Sequence, residues 1–189
     1  MKVSREQAAK NRAHVVEIAG AEFRTHGFDG IGIADLMKAA GLTHGGFYAN
    51  FASKEDLAVE AVGKALADTT ERLGAVTAGA DYPLAAAVDA YLSPGHRDDL
   101  AQGCVLSALA TDAARGSDKL KTAFETGVEG YLDLLAPMMS APTEAERRKA
   151  AMATIATLLG GLILSRAVAS PQLSQELLAA AAEHAKKST

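Results

Sequence analysis

Apolar residues recur three and four places apart along almost the whole of this chain, and no stretch alternates apolar and polar residues as a half-buried strand would. That periodicity restricts the chain to helices packed on helices, an all-α fold. Tryptophan is absent and there are 5 prolines, which again suits helix better than sheet. Of the 189 residues, 49% are hydrophobic. That is enough to bury a sizeable core in one large domain, or in a small domain beside a medium one.

Start and stop signals divide the periodicity into nine helices. The first covers residues 5–25, with Val15, Ala19 and Phe23 as its apolar stripe and Gly27 as its stop. The second, 33–40, turns Ile33, Leu36, Met37 and Ala40 inward and ends at Gly41. The third is 44–50. The fourth starts after Ser53, a cap with Asp56 at the third helical position, and runs to residue 79. The fifth covers 83–92, and residues 96–102 read as short or irregular. The sixth covers 104–115. The seventh runs from the Ser117 cap to residue 139. The eighth runs from a Thr143–Glu146 capping box to residue 169. The ninth covers 171–186, with Ser170 as cap and Pro171 at the first helical position.

The third helix poses the sharpest question, because it contains Gly45 and Gly46. Each glycine inside a helix costs about 1 kcal/mol against alanine. Thr43 stands at the N-cap position. Leu42 and Phe47 have the spacing of a hydrophobic staple, and Phe47 and Phe51, four apart, point inward together. The staple and the phenylalanine pair hold the helix, which leaves Thr43, His44, Gly45, Tyr48 and Asn50 on an outer face. Two helices joined through a turn at Gly41 form a helix-turn-helix, whose second helix lies in a DNA major groove. Bare backbone at Gly45 and Gly46 then permits close approach to phosphates or bases.

The segment VVEIAGAEFRTHGFDGIGIADLMKAAGLTHGGFYANFASKEDL resembles the N-terminal domain of the tetracycline-repressor (TetR) family of bacterial transcription regulators. The matching elements are Phe23 with Gly27-Phe28, Ala40-Gly41-Leu42-Thr43, Phe47-Tyr48 with Phe51, and Ser53-Lys54-Glu55-Asp56-Leu57. The resemblance covers roughly residues 13–60, with elements at matching spacings. It implies that Tyr48 and Lys54 contact phosphates, that Thr43 and His44 open the groove-facing helix, and that Gly45 and Gly46 allow close approach. The chain departs from the pattern at Ile31-Gly32, where the hydroxyl cap of the second helix is missing, and at Glu22 and Met37. It also implies an N-terminal DNA-binding domain (1–53) and a C-terminal ligand-binding and dimerisation domain (54–189). The last two long helices would pair with those of a second subunit through Ile155, Leu158, Leu159, Leu162, Ile163, Leu173 and Leu177, with Leu178 and Ala181 beside them and Gly160-Gly161 allowing close approach. The helices between would enclose a pocket for a small apolar or aromatic effector, with Tyr91, Cys104, Phe124, Val128 and Tyr131 as candidate contacts and Leu135 and Met138 nearby.

Charge and the remaining motifs fit. Net charge is −4, yet residues 1–54 carry seven Lys/Arg against five acids, while the rest carries twelve against eighteen. A mildly basic head on an acidic body suits a protein that meets polyanion at one end. Cys104 is the single cysteine, so the expected compartment is reducing. Cys104 opens the sixth helix, where a thiol is either a sensor of oxidants and electrophiles or a small buried hydrophobe. Arg97, seven residues earlier, could fold back to add positive charge beside it. The most apolar run, residues 151–164, is short of the roughly 20 needed to span a bilayer. The five histidines are scattered, and no zinc, P-loop or serine-nucleophile motif is present. His96 with Asp98 and Asp99 reads as a solvated turn before it reads as a metal site. The expectation is a cytoplasmic homodimer, not an enzyme and without a cofactor, that binds a palindromic double-stranded DNA operator and represses transcription until a small effector releases it. The alternatives are a helical small-molecule-binding protein without DNA binding, and a regulator switched through the Cys104 thiol.

Overall fold

The computed structural model describes residues 5–187. Lys2, part of the basic N-terminal stretch, lies outside them. Among the described residues every regular element is helical. In chain order these are α1 (Arg5–His26), α2 (Ile33–Ala39), α3 (Lys54–Thr77), α4 (Pro83–Tyr91), α5 (Pro94–Asp98), α6 (Val105–Arg115), α7 (Asp118–Leu135), α8 (Glu144–Ala167) and α9 (Pro171–Lys186), with 3-10 turns at His44–Gly46 and Ala136–Met138. The membership differs from the sequence reading in two places. The third expected helix is a single 3-10 turn followed by further turns to residue 50, and residues 94–98 form a short α-helix.

The helix starts follow local chemistry. Ser53 accepts the Asp56 N–H at 3.0 Å and donates to its carboxylate at 2.9 Å. Thr143 and Glu146 complete a capping box at the head of α8. Ser117 and Ser170 accept from the Leu120 and Leu173 amides. Each such cap satisfies N–H groups that have no partner inside the helix, and is worth about 1 kcal/mol.

The packing has two ends joined by α3. At the N-terminal end, Val15, Ala19 and Phe23 of α1 bury against Leu36 and Met37 of α2, Phe47, Phe51, and Leu57 at the start of α3. Farther along, α3 packs extensively on α7 and also touches α4 and α6, while α8 packs on α9 and α6. A single long helix therefore contributes to both cores, so displacement at one end has a rigid path to the other.

Helix α8 runs 24 residues, longer than the apolar run seen in the sequence, and by length and composition alone passes for a membrane span. Its inward face serves the chain's own core. Ile155, Leu158 and Leu162 are buried within one chain, as is Leu178 on α9. These four spend most of their surface on the chain's own core, which leaves little of it for a second subunit. Leu159, Leu177 and Ala181 are half-buried, while Ile163 and Leu173 are exposed, and so are Met152 and Leu164, which were not singled out. Helix α8 is apolar on more than one side, and periodicity alone does not say which side faces inward.

Gly161 sets the α8–α9 spacing. A methyl group there would run into the methyl of Ala181 and lie 3.4 Å from Leu92 Cδ2. Neither Cβ can move without its backbone. Gly161→Ala is expected to lower stability in urea unfolding by about 1–3 kcal/mol. Gly63→Ala on α3, where a methyl would meet nothing within 4 Å, is expected to raise it by up to about 1 kcal/mol. Equal effects of the two changes would show that Gly161 does not set the helix separation.

Candidate DNA-binding face and ligand cavity

Helix α2 ends in a Schellman motif. The Leu42 N–H reaches the Met37 carbonyl at 2.8 Å and the Gly41 N–H reaches that of Lys38 at 2.9 Å. Gly41 has φ +68°, a conformation that costs glycine nothing and other residues a steric clash. The chain then enters the His44–Gly46 turn. Thr43 holds the extended N-cap conformation, but its side chain makes no cap hydrogen bond. Gly32, before α2, likewise supplies no side-chain cap. Two adjacent glycines without a cap do not sustain an α-helix. The carbonyl of Gly46, which in an α-helix would accept from the Asn50 backbone, accepts instead from the Asn50 side-chain amide at 2.8 Å, while the Asn50 N–H goes to Phe47. Asn50 is thus half-buried and engaged within the turn.

The turn is nonetheless well anchored. Phe47 and Phe51 are buried, with ring centroids 5.6 Å apart. The Arg12 guanidinium lies 4.7 Å above the Phe51 ring and forms a bidentate ion pair with Glu60, tying α1 to α3 around it. Outside this anchor Thr43, His44 and Gly45 are exposed, and Tyr48 is 64% exposed, its ring edge-on to both Phe47 and His44. Nothing lies within 4 Å of a Cβ built on Gly45. Gly46 is half-buried, and a Cβ there would touch Met37 Cε at 3.6 Å. The two glycines thus differ: Gly45 faces out, while Gly46 lets α2 pack close. Lys54, at the first position of α3, is half-buried near Phe28 and Asp29. The face offers a hydroxyl, an imidazole, a phenol and bare backbone on one convex turn, which is donor chemistry suited to phosphates and base edges.

A second site lies in the helical body. Residues 95–103 close one side of a cavity of about 290 Å³, whose other walls are Thr69, Arg72, Leu73 and Val76 of α3 and Ala90 and Tyr91 of α4. Three arginines from three helices hold that segment by its carbonyls. Arg24 Nε donates to Ala101 at 2.6 Å and Arg72 Nη2 to Gln102 at 3.2 Å. Arg166 donates to Arg97 at 2.9 Å and His96 at 2.7 Å. Arg97 turns to Asp98 and Ser174 rather than folding back onto Cys104. Of the expected ligand contacts, Tyr91, Cys104 and Tyr131 come together. The Cys104 sulfur lies 3.4 Å from the Tyr131 hydroxyl, and burial, with Cys104 close by, raises the pKa of both phenols. Phe124 is buried in the core and Val128 is half-buried, and neither lines this cavity. Thr69, Arg72, His96 and Asp99 do line it and were not anticipated as ligand contacts. No local pattern marks them, since packing alone assembles them.

His96 is no solvated turn residue. Its Nδ1 is 2.6 Å from the Tyr91 carbonyl oxygen, which only accepts, so Nδ1 carries the proton and Nε2 accepts the Cys104 N–H at 2.9 Å. The neutral ring satisfies both neighbours, and a second proton would collide with the Cys104 N–H. Burial lowers the His96 pKa from 6.5; the Tyr91 carbonyl opposes this, Arg166 and Arg72 add to the lowering, and Asp99 opposes it weakly. With the folded pKa below the unfolded one, the unfolded chain binds the proton more readily. This contribution to stability is complete above about pH 6.5 and is lost as pH falls below it. Melting temperature measured between about pH 7.5 and 5.5 should therefore fall more steeply for the native protein than for His96→Asn. An identical slope in the variant would show that His96 does not carry this dependence.

Comparison with known proteins agrees with the geometry. No curated protein sequence matches the chain. Solved structures share its fold along nearly the full length. A TetR transcriptional regulator from Chloroflexus aurantiacus J-10-FL superposes with a TM-score of 0.81 at 24% identity, over 96% of this chain and 95% of that one. A TetR family transcriptional regulator from Cytophaga hutchinsonii gives 0.79 at 20% identity, over 99% and 98%. The reduced form of NemR from E. coli gives 0.75 at 22% identity, over 94% and 96%. Residues 16–61, which contain α1, α2, the exposed turn and the start of α3, match the model for bacterial regulatory proteins of the tetR family. Residues 16–61 are thus similar to the DNA-binding helix-turn-helix domain of the tetR family of bacterial regulatory proteins, and the whole chain shares the fold of solved TetR regulators.

Proposed function

We propose that the protein is a ligand-responsive repressor that binds a palindromic double-stranded DNA operator as a homodimer in the cytoplasm, with residues 1–53 as its DNA-binding domain and 54–189 as its effector and dimerisation domain. The observation that carries this reading is the exposed, unobstructed face of Thr43, His44, Gly45 and Tyr48 on a turn locked to the core by Phe47 and Phe51. In this reading Thr43 and His44 address base edges, Tyr48 and Lys54 bind phosphates, Gly45 and Gly46 bring the backbone close, and Asn50 holds the turn's shape. One such turn reads few bases, so two copies on successive major grooves supply specificity.

A dimer surface is available on α8 and α9. Met152, Ala156, Gly160 and Ile163 form an outward stripe beside Leu164, with Leu173 exposed on α9. The site at Gly160 is open, so a facing helix can approach closely. The effector would act through residues 95–103 and α6, which packs on α1 and α3. The segment before it bonds to Arg24 of α1, and Asp112 within it accepts the Phe28 N–H at 3.4 Å. A ligand that favours a different placement of the 95–103 segment would shift the population of recognition-turn spacings.

Three changes test the DNA face. Gly45→Leu is expected to fold normally, since nothing crowds that position, and to lose operator binding. Tyr48→Phe and Lys54→Ala should weaken retention on all DNA sequences alike, and Lys54→Ala should reduce the salt slope by about one. A folded Gly45→Leu variant with native affinity would remove the assignment. For the dimer, Ile163→Arg changes a residue that is 40% exposed in the single chain. It should yield a folded monomer in sedimentation, because the charge would be buried at the interface. A dimer that persists in this variant would place the interface elsewhere.

A further inference from the structure

We propose that the cavity between α3, α4 and residues 95–103 takes a small zwitterion of the α-amino-acid class, with its carboxylate on Arg72 and its ammonium on Asp99; this names the effector class for the ligand-responsive reading above and rests on it. The carrying observation is a pair of opposite charges that line one cavity and do not meet. Arg72 on α3 and Asp99 on the facing segment both line it, and no other charged residue does. Both are exposed, and neither has an ion-pair partner among the described residues. They bond instead to the backbone of one residue, Gln102, which also lines the cavity. Arg72 Nη2 donates to the Gln102 carbonyl at 3.2 Å, and Asp99 Oδ1 accepts the Gln102 N–H at 3.0 Å. The width of one residue therefore holds the two charges at most about 10 Å apart. An ammonium and a carboxylate on the same carbon, with a charge-assisted hydrogen bond at each end, span about 8–9 Å.

Each group keeps hydrogen-bonding capacity for a ligand. The Arg72 guanidinium is engaged through Nη2 alone, with Gln102 and Thr69, so Nε and Nη1 have no partner among the described residues. Asp99 Oδ2 likewise has none. The neighbouring arginines do not compete. Arg24 and Arg166 spend their guanidinium groups on the carbonyls of Ala101, Arg97 and His96, and neither lines the cavity. The neutral His96 ring has both nitrogens engaged. The free charge facing the cavity is therefore one of each sign. A simple anion gains from Arg72 but meets Asp99, and a simple cation does the reverse. An uncharged molecule strips water from both and replaces it for neither. A zwitterion answers both. Leu73, Val76, Ala90 and Tyr91 supply the wall for an apolar side chain. The volume of about 290 Å³ is at the small end for a ligand pocket and suits a single ring or a branched aliphatic chain.

The test uses three probes that share one side chain: phenylalanine, phenylpropanoate, which lacks the ammonium, and phenylethylamine, which lacks the carboxylate. Binding to the full-length protein is followed by calorimetry at neutral pH. Phenylalanine should bind about tenfold tighter than either analogue, the ratio expected of one charge-assisted hydrogen bond. Asp99→Asn keeps an acceptor for the Gln102 N–H, and Arg72→Gln keeps a donor for its carbonyl, so both variants should melt close to the native protein. Asp99→Asn should lose the preference for phenylalanine over phenylpropanoate and keep that over phenylethylamine. Arg72→Gln should lose the second preference and keep the first, while Arg72→Lys, which retains the charge, should keep both. Absence of phenylalanine binding, equal native affinity for phenylalanine and either analogue, or both preferences retained in the neutralised variants would each overturn the proposal. The native comparison of the three probes decides it even where a variant fails to fold. Retention of the unliganded protein on genomic DNA fragments is measured on the same preparation. Absence of the phenylalanine preference with DNA retention intact sinks the ligand class alone. Absence of DNA retention with the preference intact sinks the regulator reading alone.

Discussion

The carbonyl groups of residues 96–102 are the hinge of the whole arrangement. That segment is too irregular to satisfy its own backbone, and a buried carbonyl without a donor is costly. Arg24, Arg72 and Arg166 supply the donors from α1, α3 and α8. Gly103 is small because the segment turns tightly there: a Cβ would lie 2.7 Å from the Asp99 carbonyl oxygen, with the Arg166 guanidinium at 2.8 Å. Burial lowers the pKa of Arg24 and of Arg166, yet a guanidinium stays charged throughout the physiological range, so its bonds to the carbonyls are charge-assisted and hold at any working pH. The segment is thereby tied at once to the DNA-binding end, to the cavity wall and to the long C-terminal helices.

That tie gives a physical meaning to the position of His96. Its ring spans from the last residue of α4 to the first amide before α6, with each nitrogen occupied. The cavity, α4 and α6 are therefore joined by hydrogen bonds in a space where Tyr91, Cys104 and Tyr131 also meet. The buried Cys104 thiol is a neighbour of the Tyr131 hydroxyl, behind the residues that line the cavity. The hydrogen bonds beside the cavity continue through residues 96–104 to Arg24 and α1.

The DNA-facing turn depends on a different balance. Glycines at 45 and 46 forgo helix propensity, and the expected α-helix contracts to one 3-10 turn. The hold comes from the Phe47–Phe51 pair, from Arg12 above it, and from the Asn50 amide that takes the Gly46 carbonyl. Stability is moved off the exposed surface and into the core, so the surface can be shaped for approach.

How much of this was legible follows from how local each cause is. The caps at Ser53, Ser117, Thr143 and Ser170 were readable, because a hydroxyl and an amide three residues on settle a cap among themselves. The Phe47–Phe51 pair and the Gly41 stop were readable for the same reason, and with them the helix-turn-helix and the all-α fold. Three matters were decided only by tertiary structure. Which side of α8 faces inward could not be read, since apolar residues lie on several sides and only α9 and α6 choose between them. The role of Asn50 could not be read, because its amide competes with its own backbone for one carbonyl. Of the cavity only Tyr91 could be read: Thr69, Arg72, His96 and Asp99 come from separate segments, and arginines from α1, α3 and α8 hold the wall that gathers them. Periodicity and short-range hydrogen bonding determine which elements form. The direction in which each element buries its surface is a property of its neighbours, and no stretch of sequence carries it alone.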